Sequence, residues 1–154
     1  MPVPTVRGRL CPWQYATRCY SFGEVVTEGM SGETPRVLVV DDDPNIRKMM
    51  VAALKRDGYN FSEAANGREA LDSMRSSRPD VVVLDLMMPV MSGWDVLQER
   101  EHDAALRQIP VIIVSANRAP EIATAVDKGI CAFLPKPFDI GVLSALVKSC
   151  VVPN

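Results

Sequence analysis

No apolar run in the sequence approaches ~18 residues, so it offers no membrane-spanning helix. Charge imbalance is also missing. A formal net charge of -2 gives no general attraction to nucleic acid or to an anionic membrane surface. The four cysteines, Cys11, Cys19, Cys131 and Cys150, fit no zinc-ligand spacing. Cys131 and Cys150 fall in segments that read as core elements, so the expectation is a pair of buried thiols in a reduced, cytoplasmic protein. The first 34 residues lack the apolar core of a secretory signal and show no sustained period of 2 or 3.6. They read as a disordered N-terminal extension, residues 1–34, with Met30 as an alternative natural start.

What is present is an ordinary globular composition, 47% hydrophobic and 23% charged, in 154 residues. That suffices for one domain with a sizeable core. A regular pattern begins at Arg36. Val37 to Val40 reads as a buried strand that ends in Asp41-Asp42-Asp43. Asp43 is placed to cap a helix that opens with Pro44, carries Ile46, Met49, Met50, Ala53 and Leu54 as its apolar stripe, and stops at Gly58. A weaker strand over 60–64 follows. Asn66-Gly67 then starts a helix through Ala70, Leu71 and Met74 that ends before Pro79.

Val81 to Leu84 is four apolar residues without polar alternation, which predicts a strand buried on both faces, ending at Asp85. A helix is expected from Gly93 to about Ala104, a strand over 110–115, a short helix over 120–128, a strand over 131–134, and a last helix from Asp139 to about Val151. Five strands alternating with five helices predict an α/β fold, a doubly wound parallel sheet with helices on both faces and no second domain.

Each strand then presents its carboxyl end to the crevice where such sheets bind ligands. Strand one offers Asp41 and Asp42, strand three Asp85, strand four Ser115, and Lys136 follows strand five. Strand two offers only Glu63 and small residues. Three close carboxylates raise one another's pKa values unless compensated. Mg²⁺ with its preference for oxygen ligands and the ammonium of Lys136 are the two remedies at hand. Such a site welcomes a phosphoryl group, with Asp85 as nucleophile and Ser115 as hydrogen-bond donor. Singly, each residue has a plainer reading: Asp42 a helix cap, Lys136 a loop lysine, Asp85 an ordinary strand end. For Asp43 the cap is the preferred one. The spaced set together argues against coincidence.

Residues 36 to about 151 resemble the receiver domain of two-component response regulators. The matching pieces are Val39-Val40-Asp41-Asp42, the Asp85 strand with Met88-Pro89 and Gly93, Val114-Ser115-Ala116, and Phe133-Leu134-Pro135-Lys136-Pro137-Phe138. The resemblance implies a flavodoxin-like, five-stranded sheet of order 2-1-3-4-5 and a receiver domain over 35–152. It implies that Asp85 is the phosphoacceptor and that Mg²⁺ is bound by Asp42, Asp85 and the backbone carbonyl of Met87, with Asp41 acting through a water. It gives Lys136 contact with the phosphoryl oxygens, a cis Lys136-Pro137 bond, and Ser115 with Phe133 as the switch pair. Phosphorylation would come from a histidine kinase or a histidine phosphotransfer protein. A downstream protein would read the face of the fourth helix (120–128), fifth strand and fifth helix, and self-association is left open. With no output domain expected after the last helix, the chain would act by partner binding or by phosphoryl relay, without turnover on an outside substrate.

Other residues attract plainer readings. His102, the single histidine, reads as a solvated surface group. Met87, Met88 and Met91 read as gap-fillers beside the site, Met87 also as a shield of the phosphoryl group. Trp13 and Trp94 read as packing residues. Two competing functions are a Mg²⁺-dependent aspartyl-phosphate phosphatase or phosphotransferase of the haloacid dehalogenase type, and a degenerate receiver that binds partners without phosphorylation. The first wants a second acid where Met87 stands. The intact set Asp41, Asp42, Asp85, Ser115 and Lys136 argues against the second.

Overall fold

The computed structural model describes residues 34–116 and 129–151. The strands are β1 (Arg36–Val40), β2 (Asn60–Ala64), β3 (Val81–Asp85), β4 (Val111–Ser115) and β5 (Ile130–Pro135). All pair in parallel, in the order β2-β1-β3-β4-β5. The expected fold class therefore holds. The N-terminal extension with Trp13, Cys11 and Cys19, and the helix expected over 120–128, lie outside the described residues.

The described helices are α1 (Pro44–Arg56), α2 (Gly67–Ser77), α3 (Gly93–His102), α4 (Ala104–Arg107) and α5 (Ile140–Cys150). Two cores explain why the strands lack alternation. Val37, Val39, Val81, Val83, Ile112 and Val114 pack on the side of α1 and α5 with Met50, Leu54, Leu143 and Val147. Leu38, Val40, Val82, Leu84, Val111 and Ile113 pack on the side of α2 and α3 with Leu71, Met74, Val96 and Leu97. Every residue of β3 is buried, as a central parallel strand between two helical layers must be.

The helix ends follow their capping chemistry. Asp43 accepts from the backbone N–H of Asn45 at 2.8 Å and opens α1 at Pro44. Gly58 closes the turn after α1 at φ +84°, a conformation that glycine adopts without cost. Asn66 caps α2 by accepting from Glu69 N–H, and Glu69 reaches back to Ala65 N–H. Ser92 and Asp95 form a reciprocal capping box on α3.

Three expectations need correction. The helix from Gly93 does not continue to Ala104. It stops at His102 because Asp103 turns extended and caps the separate short helix α4 by accepting from Ala105 N–H. Met49 is not a core residue, since it is 44% exposed, and Val51 takes a buried place on α1 instead. Cys131 and Cys150 are not free thiols. They form a disulfide with Cα atoms 6.0 Å apart, joining β5 to the last residue of α5.

Arg100 is a tie that the sequence reading missed. It is 1% exposed, and its guanidinium donates to the carbonyls of Ile109, Arg107 and Gly129. It thereby holds the end of α3 against the entries to β4 and β5. No helix among the described residues is long and apolar enough to cross a membrane.

Candidate functional site

The crevice lies at the carboxyl ends of β1 and β3, neighbours at the point where the strand order reverses. Chain geometry brings the acids there. Asp41 follows β1 directly, its N–H bonded to Ala64 O of β2 at 3.2 Å. Asp42 sits one residue on, exposed, before the α1 cap. Asp85 ends β3 and is buried. One carboxylate oxygen from each of Asp41, Asp42 and Asp85 falls within 4.8 Å of the others. Such an all-oxygen group suits a hard divalent cation of the Mg²⁺ kind. The residues present therefore fit the metal that the resemblance implies.

Lys136 supplies the positive charge from the loop after β5. Its Nζ donates to Asp41 Oδ2 at 2.6 Å and to Asp85 Oδ2 at 3.3 Å. The loop is held by Lys136 N–H donating to Ser115 O at 3.0 Å, and the Lys136-Pro137 bond is cis as expected. Burial pushes the Asp85 carboxyl above its ordinary value. The Met87 N–H and the Lys136 charge pull the other way, and the Asp41 charge adds to the rise. For Lys136, burial alone would lower the pKa, but the hydrogen bond from Lys136 to Asp41 and the Asp85 charge outweigh it, so the ammonium is held more firmly than usual.

Backbone contacts fix Asp85 further. Its Oδ1 accepts from Met87 N–H at 3.1 Å. Gly93 packs so close to the Asp85 carbonyl that an added Cβ would collide with that oxygen and lie 2.7 Å from Leu86 Cα. A glycine is required there by the approach of one backbone to another. Between them, Met91 N–H donates to Pro89 O at 2.8 Å around Val90, which is 87% exposed at φ +71°. A β-branched residue in that region is strained, and the strain sits in the loop beside the acid.

The structure thus brings together Asp41, Asp42, Asp85 and Lys136. Ser115 ends β4 fully buried. Phe133 lies opposite Ile113 in the ladder, half-buried on the α2 and α3 side. Met88, Met91 and Trp94 pack against the same core, but Met87 does not fill a gap: it is 58% exposed. His102 is exposed on α3, as expected. Arg47, not foreseen, donates to Asp41 O at 2.6 Å and pairs with Glu63 at 3.5 Å, pinning the β1–α1 loop. An arginine inside α1 gives no sequence signal for that role.

An open parallel sheet with acids and a lysine gathered at its reversal point defines a class of α/β module that binds ligands at strand ends. The family to which the chain belongs is that of response regulator receiver domains, whose family model matches residues 37–148. It is 37% identical over 115 residues to "Response regulator MprA" of Mycolicibacterium vanbaalenii, covering 74% of this chain and 49% of that protein. It is 41% identical over 111 residues to "Probable transcriptional regulatory protein TcrX" of Mycobacterium tuberculosis, covering 71% and 46%. The chain thus spans about half the length of these curated relatives. Among solved structures, the chemotaxis protein CheY4 of Vibrio cholerae is similar at a TM-score of 0.71 and 30% identity, covering 78% of this chain and 100% of that one.

Proposed function

We propose that the chain is the phosphoacceptor receiver of a two-component or phosphorelay system and that Asp85 takes the phosphoryl group. The observation that carries this reading is the single ammonium of Lys136 shared by Asp41 and Asp85, with Asp42 beside them.

The roles follow from the chemistry of each group. An ionised Asp85 attacks the phosphorus of a phosphohistidine or a small acyl phosphate, and the phosphoryl group passes to its oxygen as the donor's bond breaks. Asp42, Asp85 and the Met87 carbonyl would hold Mg²⁺, with Asp41 acting through a water. Bound there, the cation would neutralise the carboxylates and the phosphoryl oxygens. Lys136 transfers its second contact from the Asp85 carboxylate to the phosphoryl oxygens, and Ser115 donates its hydroxyl to one of them. Movement of Ser115 toward the phosphate leaves room for Phe133 to turn inward, so that β5 and its neighbours report the event. Phenylalanine lacks a phenol, so the readout uses the ring alone.

Donors of the histidine kinase or phosphotransfer class fit this chemistry, and a protein that reads the β5 and α5 side is the expected recipient of the signal. A phosphatase of the haloacid dehalogenase type is less well supported, because the residue two after Asp85 is the exposed Met87, not an acid. Incubation with acetyl phosphate and Mg²⁺ separates the readings. A stoichiometric, slowly decaying adduct supports the receiver. Rapid multiple turnover supports the phosphatase, and no adduct with any donor supports a degenerate module.

A further inference from the structure

The parallel ladder between β4 and β5 slips by one residue. Val111 pairs with Ile130, but Ile112 pairs with Ala132, leaving Cys131 as the extra residue. Because side chains alternate along a strand, such a bulge re-aims whatever it carries. Here Cys131 and Ala132 both face the α1 and α5 side, while Ile130 and Phe133 face the other. Counted from the Val111–Ile130 pair, Cys131 faces the α5 side, and the slip leaves it there as the extra, unpaired residue. From that place Cys131 meets Cys150, the last residue of α5. β5 is a sheet edge, Cys131 is half-buried, and Cys150 is buried. Cys131 is thus the more accessible residue of the pair and Cys150 the more buried one, the asymmetry expected of an exchanging cysteine and its resolving partner.

We propose that Cys131 and Cys150 form a reversible thiol–disulfide modification site that clamps the C-terminal turn of α5 to β5 and sets the mobility of that helix. The co-reactant is a low-molecular-weight disulfide. The Cys131 thiolate attacks one of its sulfurs, forming a mixed disulfide and releasing one thiol. The Cys150 thiolate then displaces the second thiol and closes the Cys131–Cys150 bond. Two protons and two electrons leave the protein, and two small thiols are formed. Reduction by two small thiols runs the same steps backward. Core packing of Leu143 and Val147 against β1, β3 and β4 remains when the bond opens, so the reduced protein stays folded while the end of α5 loosens. The proposal stands on the bonded cysteine pair and its unequal burial and does not depend on phosphorylation of Asp85.

The test uses the full chain equilibrated in buffers of reduced and oxidised glutathione, followed by alkylation, peptide mapping and hydrogen exchange. The expected result is one reversible two-electron transition confined to the Cys131 and Cys150 peptides, with Cys11 and Cys19 alkylated independently. Amides over 145–151 exchange at least several-fold faster in the reduced form, and Tm falls by about 5–10 °C. Cys131→Ser shows the fast exchange in both buffers. Free thiols at both positions in oxidising buffer would overturn the proposal. So would global unfolding on reduction, or exchange over 145–151 that ignores the redox state.

Discussion

The Nζ of Lys136 lies 2.6 Å from Asp41, a shorter contact than its 3.3 Å approach to Asp85. Asp41 is fully buried and Lys136 is largely so. The ammonium is thus anchored on one acid and left with a weaker hold on the other. Such an anchor lets Lys136 exchange its second contact without leaving the crevice.

Replacing Lys136 should therefore cost stability as well as activity. Lys136→Met strands the Asp41 carboxylate without its counter-charge, and we expect a loss of about 2–3 kcal/mol in urea unfolding. A loss well below about 1 kcal/mol would show that Asp41 is better solvated than its burial indicates.

The raised pKa of Asp85 gives a pH signature with a definite sign. Its folded pKa lies above the unfolded value, so protonation favours the folded state and ionisation costs stability. In chelator at neutral pH, Asp85→Asn should be more stable than the wild type. The difference should shrink as pH falls through the folded pKa and vanish below the unfolded one, near pH 4. A thermal-melt series over pH 3.5–8, on the order of ten points, would check it; a variant that is less stable at neutral pH contradicts the sign.

Metal addition should reverse that ranking. Mg²⁺ binding to the folded state raises Tm with concentration by mass action. We expect the rise in the wild type and its loss in Asp42→Asn and Asp85→Asn. Chelator should restore the original melt. Equal shifts in all three proteins would place the cation elsewhere.

Gly93→Ala tests whether the backbone fit around Asp85 matters. The added methyl meets the Asp85 carbonyl and the Leu86 Cα, neither of which is a flexible side chain. The expected cost is about 2 kcal/mol, from forced backbone displacement. The Mg²⁺-dependent rise in Tm should weaken with it. Unchanged melts would mean that the loop gives way freely.

Met87 stands exposed two residues after Asp85, where a side chain can cover or admit water. Met87→Asn is expected to change the decay rate of the phosphorylated protein several-fold while leaving Tm within about 2 °C. Decay kinetics after donor removal provide the check, and identical rates would remove Met87 from the account.

Much of this architecture was legible because the strand ends carry their own punctuation. Val81 to Leu84 has no polar interruption, and its burial on both faces is what a central strand between two helical layers requires. Asp41, Asp42, Asp85 and Lys136 could be gathered on paper because a doubly wound sheet collects strand ends at one edge. The misreadings have physical causes as well. Helical spacing placed Met49 in the core, but it cannot say where the rim of a stripe meets solvent. Arg100 was invisible because a charged residue reads as solvated until three carbonyls are found to surround it. The Cys131–Cys150 bond was missed because both cysteines fall in core elements, where a buried thiol is the ordinary reading, and the pattern along the chain does not show that β5 and the end of α5 bring their Cα atoms within 6.0 Å.

The central claim is that Asp85 carries the phosphoryl group, and chemical trapping tests it most directly. The protein is incubated with acetyl phosphate and Mg²⁺, then reduced with borohydride, which converts an aspartyl phosphate to homoserine, and the peptides are mapped. The account predicts homoserine at position 85 and nowhere else, absent when Mg²⁺ is chelated. Homoserine at position 41 or 42, or none under conditions that phosphorylate a known receiver, would contradict it.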